Sequence, residues 1–158
     1  LETFALADSI VQMIDEAQVA LALPGTNASV LRATLLGGAQ FDRLSASETL
    51  CTGSVDVADT QTGCFRYGAA PSSSRLPRPY RSVALDDAGS LFVARNFGDP
   101  GYARLSEAAP STIARGGEDT CEMGAFSSFR EQARFDNLRV KIDEYMPFGL
   151  VPAYFFEE

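Results

Sequence analysis

Three arginines, Arg75, Arg78 and Arg81, recur at every third position inside a segment that also holds Pro71, Pro77 and Pro79. A polyproline II conformation repeats every third residue, so this spacing would align the guanidinium groups along one edge. Such an edge could grip the carboxylates of an acidic glycan or partner through paired hydrogen bonds. It could equally strap the domain together by pairing with its own acids. The acids with a possible role are Asp99, the group Glu118, Asp119 and Glu122, and the adjacent Asp86 and Asp87. Two carboxylates act as general acid and base only when the fold brings them together and separates their acidities. Solvated loop acids are the simpler reading of these positions.

No histidine is present. The commonest general base, the Ser-His and Cys-His nucleophile pairs and the commonest transition-metal ligand are therefore missing. Gly98-Asp99-Pro100-Gly101 is a turn and not a phosphate cradle, and the acids around Glu118 lack the alternating order of a calcium loop. No metal site and no cofactor are expected, and the sequence leans away from an enzyme. Cys51, Cys64 and Cys121 form no Cys-x-x-Cys pair and read as buried thiols, with Cys51 and Cys64 the better candidates for a disulfide.

The net charge of −8 repels phosphate backbones and anionic lipid surfaces, so neither nucleic acid nor membrane is an expected partner. Charged residues or glutamine interrupt every apolar run before it reaches the length of a spanning helix. Leu1-Glu2-Thr3-Phe4 has no basic region and no cleavage site, so it is not expected to be a signal peptide. Apolar residues make up 46% of the chain, enough to build a core.

The elements that would position these groups are short apolar segments between turn formers. Ser9-Ile10-Val11, residues 19–23, Ser29-Val30-Leu31, Thr34-Leu35-Leu36, residues 54–57 and residues 64–67 read as strands. Pro24-Gly25, Gly37-Gly38, Thr52-Gly53 and Thr62-Gly63 read as the turns between them. Two units resemble each other: Arg32-Ala33-Thr34-Leu35-Leu36-Gly37-Gly38 and Glu48-Thr49-Leu50-Cys51-Thr52-Gly53. Ala7-Asp8-Ser9 and Ala46-Ser47-Glu48 repeat a small-residue lead-in. Repeats of this kind suit a solenoid, in which each coil buries its apolar residues against the coils above and below. The register is imperfect, because Phe41 does not fall where Val55 would put it, and a β-sandwich has similar turn spacing.

A rival reading makes residues 9–22 a helix, with Ile10, Ile14, Ala17 and Leu21 on one face. Residues 71–81 read as a loop that sustains no ladder, residues 90–94 as a strand, and residues 110–115 as one or two helical turns. Residues 130–146 predict an amphipathic helix whose Phe135, Leu138, Ile142 and Tyr145 face the core. Residues 150–156 predict a terminal edge strand.

Several blocks occur in a distinctive order: Thr62-Gly63-Cys64-Phe65-Arg66-Tyr67, then Ser74-Arg75-Leu76-Pro77-Arg78-Pro79-Tyr80-Arg81, then Phe97-Gly98-Asp99-Pro100-Gly101-Tyr102. Ala114-Arg115-Gly116-Gly117-Glu118-Asp119, Glu122-Met123-Gly124-Ala125-Phe126, and Asn137-Leu138-Arg139 with Asp143-Glu144-Tyr145 follow. This ordered set resembles the C-terminal region of large bacterial right-handed parallel β-helix proteins of unassigned function. Ser82 and Ala103 stand where that family is expected to carry further cysteines. The resemblance implies a mainly β fold: the end of a right-handed parallel β-helix, or β-solenoid, with a loop-and-helix C-terminal cap. Coils would occupy residues 1–68 and the cap residues 69–158. The expected role is a non-catalytic structural or interaction module in a larger bacterial protein or assembly, partnered by a second copy or another subunit. Its expected setting is extracellular or cell-surface. The alternative is a glycan-binding or polysaccharide-cleaving β-helix working with carboxylates and arginines.

Overall fold

The computed structural model describes residues 2–15 and 17–154. It is strand-rich, with an all-parallel sheet curled into a half-barrel and one C-terminal helix. The strands are β1 (Glu2–Gln12), β2 (Val19–Leu36), β3 (Gly38–Ser47), β4 (Leu50–Cys51), β5 (Val55–Val57), β6 (Gly63–Arg66), β7 (Ala69–Ala70), β8 (Pro79–Tyr80) and β9 (Val83–Ala84). The helices are α1 (Ser111–Ala114) and α2 (Glu131–Tyr145). Residues 9–22 are therefore strand at both ends, and the helical alternative there is overturned.

The ladders stack the chain in solenoid-like fashion. One column of partners reads Leu6, Val30, Ala46, Phe65, Pro79. A second reads Ile10, Thr34, Leu50, Ala69, Val83. A third begins at Leu23 and passes through Phe41 to Val57. The first three coils thus contribute to three successive faces. The two similar sequence units lie on each other, with Thr34 over Leu50 and Leu35 over Cys51. Phe41 falls over Val57, while Ala39 meets Val55, which resolves the mismatch in the sequence pattern. Gly53 lies against the peptide bond between Gly37 and Gly38. A Cβ on Gly53 would come within 2.3 Å of the Gly37 carbonyl carbon, so backbone passes over backbone at this corner.

The first and third faces alternate buried and exposed residues, as expected for a sheet wet on one side. Val55 and Val57 are buried and Asp56 between them is exposed. The second face has no wet side: Ala33, Thr34, Leu35 and Leu36 are all buried. Alternate residues point into the coil, where Ala33 and Leu35 join Val30, Phe41 and Phe65. The others point outward, where Leu36, Leu50 and Ala69 are covered by Leu85, Leu91, Phe92, Leu105, Ile113 and Met123.

The loop-rich segment after β9 thus clads the flank of the stack along its second face. It reaches back as far as the first coil, where Gln12 donates to the Arg95 carbonyl at 2.8 Å and accepts from the Tyr102 hydroxyl at 2.7 Å. Ladder pairing continues past residue 68 to β9. It also enters the proline-rich segment expected to be ladder-free, because β8 pairs with β6 and Arg75 bridges to Asp56. Residues 90–94 make isolated bridges at Phe92 and Ala94 in place of a strand.

Helix α2 forms where the sequence predicts it, but its stripe does not face the core. Leu138 is 48% and Tyr145 86% exposed, Phe135 and Ile142 are half-buried, and no residue of the helix is fully buried. The reason lies in the cladding, which already covers the outward apolar side of the second face. The helix is held at the surface by the Gln132 amide on the Leu105 carbonyl, by Arg139 facing Glu107, and by Phe135 against the Tyr154 ring. Residues 150–154 join no ladder, and Phe155 and Phe156 of the expected terminal strand lie outside the described residues.

These burial differences set an expected ranking of substitutions. Leu35→Ala should destabilise by about 2–5 kcal/mol, since it leaves a cavity inside the coil. Leu138→Asp should change stability by no more than about 0.5 kcal/mol, as for other exposed positions. Urea denaturation of both variants checks the ranking.

Candidate functional site

One corner of the stack recurs in a single backbone conformation. Asp8, Arg32, Glu48, Tyr67 and Arg81 lie between the first and second faces of successive coils. All have positive φ, between 48° and 54°. The first three carry alternating charge. Arg32 holds Asp8 through two bonds, Nε to Oδ1 at 2.6 Å and the terminal nitrogen to Oδ2 at 2.8 Å. The guanidinium keeps the Asp8 carboxyl below its ordinary range.

Glu48 is the buried member of the column, 8% exposed. Its Oε1 accepts from the Glu118 backbone amide at 3.1 Å and from the Cys121 thiol at 3.0 Å. Cys121 also lies 2.7 Å from the Glu118 carbonyl and 3.1 Å from the Ser127 hydroxyl. The Glu48 carbonyl accepts from the Gly124 amide at 2.9 Å, and the Thr34 hydroxyl accepts from the Ala125 amide at 3.0 Å. Corner and cladding are thus joined by a buried polar cluster in which each named group has a partner, the condition under which burial of such groups is tolerated.

The cluster is built for docking, not for nucleophilic chemistry. Burial raises the Cys121 thiol to about 11, with the neighbouring Glu48 carboxylate adding to the rise. Burial alone raises Cys51 to about 12. A thiol attacks as its thiolate, so neither is activated at neutral pH. Cys51 points into the coil whereas Cys64 occupies an outward position opposite Ser45, so the expected disulfide between them does not form and all three thiols are free.

The residues singled out from the sequence are separated by the fold. Arg75 lies on the third face, where its side chain donates to the Ala58 carbonyl at 3.2 Å. Arg78 has a φ of 28°, and Arg81 turns the next corner with its guanidinium 5.8 Å from the centre of the Tyr80 ring. Positive φ at two of the three breaks the polyproline conformation, so the arginines spread around the last coil instead of lining one edge. Asp99 closes its own turn by accepting from the Asn96 amide at 3.0 Å. Glu118 and Asp119 are exposed, while Glu122 is buried at 2% exposure. The acidic group therefore does not converge.

Glu122 is taken up by the start of α2. Its Oε2 accepts from the Gln132 backbone amide at 2.7 Å. Burial raises its carboxyl to about 7, opposing that hydrogen bond, and the nearby Glu131 charge adds to the rise while Arg104 works against it. Beside it lies a cleft of about 390 Å3 lined by Arg115, Thr120, Arg130 and Asn137, in which Arg115 is paired with Asp136 at 2.6 Å. Among the described residues no cluster of His, Cys, Asp or Glu could hold a metal, and no helix is long and apolar enough to cross a membrane.

Sequence reading missed the corner column, although the Ala7-Asp8-Ser9 and Ala46-Ser47-Glu48 lead-ins carry two of its acids. Their shared property, left-handed backbone on a residue other than glycine, has no composition signal. No known protein family, curated protein or solved structure matches the chain.

The Glu122 environment predicts a pH dependence with a definite sign. Between about pH 4.5 and 7 the unfolded chain has released this proton while the folded protein retains it. Stability contributed by the group is therefore present at low pH and lost as pH rises through this window, by a few kcal/mol at about 1.4 kcal/mol per unit. Glu122→Gln should flatten that part of the urea-midpoint profile and be the more stable protein at pH 8. The thiol environments predict that Cys51 and Cys121 resist alkylation at pH 8 until the protein is unfolded, which mass spectrometry of iodoacetamide-treated protein checks.

Proposed function

We propose that the stack is the terminal portion of a right-handed parallel β-helix and that the chain is a non-catalytic interaction module of a larger bacterial protein or assembly. The first-coil end of the described stack is the face at which a further coil, of this protein or of a partner, would add. One observation carries this reading: β1 is an 11-residue strand with a single ladder partner among the described residues, so its second edge offers unpaired backbone groups. Phe4, Leu6, Val11, Leu21 and Leu23 around that end are half-buried and pack onto the same interior in which Ala28 and Val30 are 1% and 2% exposed. An added coil would complete their burial and pair the edge, the mode of recognition by strand addition.

The ordered sequence blocks support the β-helix assignment, as does the stacking of the two similar units. A glycan-binding reading is less well supported. It needs arginines and carboxylates facing one groove, whereas Arg75, Arg78 and Arg81 spread around the last coil and Glu122 is engaged by α2.

The experiment is a titration with a strand of known fit. Residues 26–36 form the segment of β2 that already lies along β1 in parallel register. A fluorescein-labelled peptide of this sequence should bind the protein saturably by anisotropy, and a scrambled peptide should not. Leu6→Asp, checked for native circular dichroism, should weaken binding at least tenfold. Absence of saturable binding up to the solubility limit of the peptide would reject the reading.

A further inference from the structure

We infer that the last two coils carry a docking site for a short acidic segment of a partner protein, held by Arg66, Arg78 and Arg81 around the Tyr80 ring. The site lies on the outward side of the first face and at the adjoining corner. It does not depend on strand addition at the first coil.

The first observation concerns pairing. Arg32, Arg43, Arg104, Arg115, Arg134 and Arg139 each face a carboxylate of this chain within 4.0 Å. Acidic residues outnumber basic ones by 21 to 13, so partners are plentiful. Yet Arg66, Arg78 and Arg81 are all exposed, and among the described residues none of them faces a carboxylate at that distance.

The second observation is that the fold gathers these three from two successive coils. Arg66 pairs with Tyr80 in parallel register, and both are exposed while the neighbouring Phe65 points into the core. Partners in register leave the sheet on the same side as neighbours. Arg81 follows at the corner with its guanidinium 5.8 Å from the centre of the Tyr80 ring, and the Tyr67 ring meets Tyr80 edge-on at 5.8 Å. Arg78 stands two residues before Tyr80. The backbone beneath is tied down: the Tyr80 carbonyl accepts from the Tyr67 amide at 3.0 Å and from the Ser82 hydroxyl at 3.2 Å. The same hydroxyl donates to the Phe65 carbonyl at 2.9 Å. Binding therefore has little backbone left to order.

Each guanidinium offers a fork of donors that matches a carboxylate. One ladder step and one residue separate Arg66 from Arg81, roughly 6 Å at Cα, and carboxylates two residues apart in an extended segment lie about 7 Å apart on one side. The net charge of −8 acts against a long polyanion, whose charges would continue along the acidic surface beyond the patch. That repulsion is screened within about 8 Å at physiological salt, so a segment of a few residues feels chiefly the arginines it touches. A sugar chain is less well matched, because Arg81 and Tyr67 already engage the ring on which a sugar would stack.

Anisotropy titration of the full chain with fluorescein-labelled hexaglutamate tests this. Binding should be saturable and weaken as salt is raised, and hexaglutamine should not bind. Arg66→Gln with Arg81→Gln, checked for native circular dichroism, should weaken binding by about tenfold or more. Arg66→Gln alone, at an ordinary strand position, should weaken it by about threefold and keeps the test decisive if the corner needs Arg81 to fold. Arg134→Gln with Arg139→Gln on α2 removes the same charge and should leave binding unchanged. Equal losses in the two double variants would reduce the effect to general charge attraction and overturn the inference. No saturable binding at low salt would overturn it too. So would a sulfated oligosaccharide or a single-stranded DNA hexamer that binds more tightly than hexaglutamate and loses affinity with Arg66 and Arg81.

Discussion

A left-handed backbone on residues other than glycine costs roughly 1 kcal/mol or more each time it is used, because Cβ crowds the following carbonyl. The stack uses it at Asp8, Arg32, Glu48, Tyr67 and Arg81, all at one corner, and at Arg78 just before β8. The conformation persists because each corner is fixed by its neighbours. Two such ties are the Glu48 amide on the Arg66 carbonyl at 3.1 Å and the Tyr67 amide on the Tyr80 carbonyl at 3.0 Å. If one coil turned elsewhere, the next would lose its ladder register and every side chain beyond would change face. The corner column is thus the constraint on which the core depends, since it decides which residues point inward.

The same corner anchors the rest of the chain. Glu48 combines the strained conformation with a buried carboxylate, and only the cladding supplies the partners that make this burial tolerable. The Glu118 amide, the Cys121 thiol and Ser127 complete the cluster, while Gly124 passes so close to Thr34 that a Cβ would lie 2.7 Å from its hydroxyl oxygen. Coil and cladding are consequently interdependent. The second face can be apolar on both sides because the cladding covers it, and the cladding, which has few regular elements of its own, is ordered by that face.

The two described ends of the stack differ in their backbone. At the last coil β8 is two residues long, with Pro79 between the left-handed Arg78 and Arg81. At the first coil β1 is an 11-residue strand without proline. Buried Glu122 and Cys121 belong to the architecture of the cladding and α2, because each is tied to a backbone group there, whereas Cys51 lies inside the coil.

The sequence by itself determined the local features. Turn-forming glycines, alternating apolar residues and the two similar units were enough to read stacked strands before Gly68. Arginine, glutamate and leucine content was enough to read the helix near residues 131–145, and the absence of histidine excluded the commonest catalytic arrangements. These depend on neighbours along the chain. Only the tertiary structure decided what depends on neighbours across it. The offset between stacked partners changes from Leu6 and Val30 to Val30 and Ala46 to Phe65 and Pro79, so no fixed period in the sequence could reveal the register. The amphipathic stripe of α2 reported a capacity for burial, but the cladding had already covered the surface it would have used. Arg75, Arg78 and Arg81 share a spacing that aligns them in an extended chain, and the fold disperses them because two of the three adopt left-handed backbone. Glu48 and Cys121, far apart in sequence, meet because a corner buried one and the cladding buried the other, and neither needed a motif to do so.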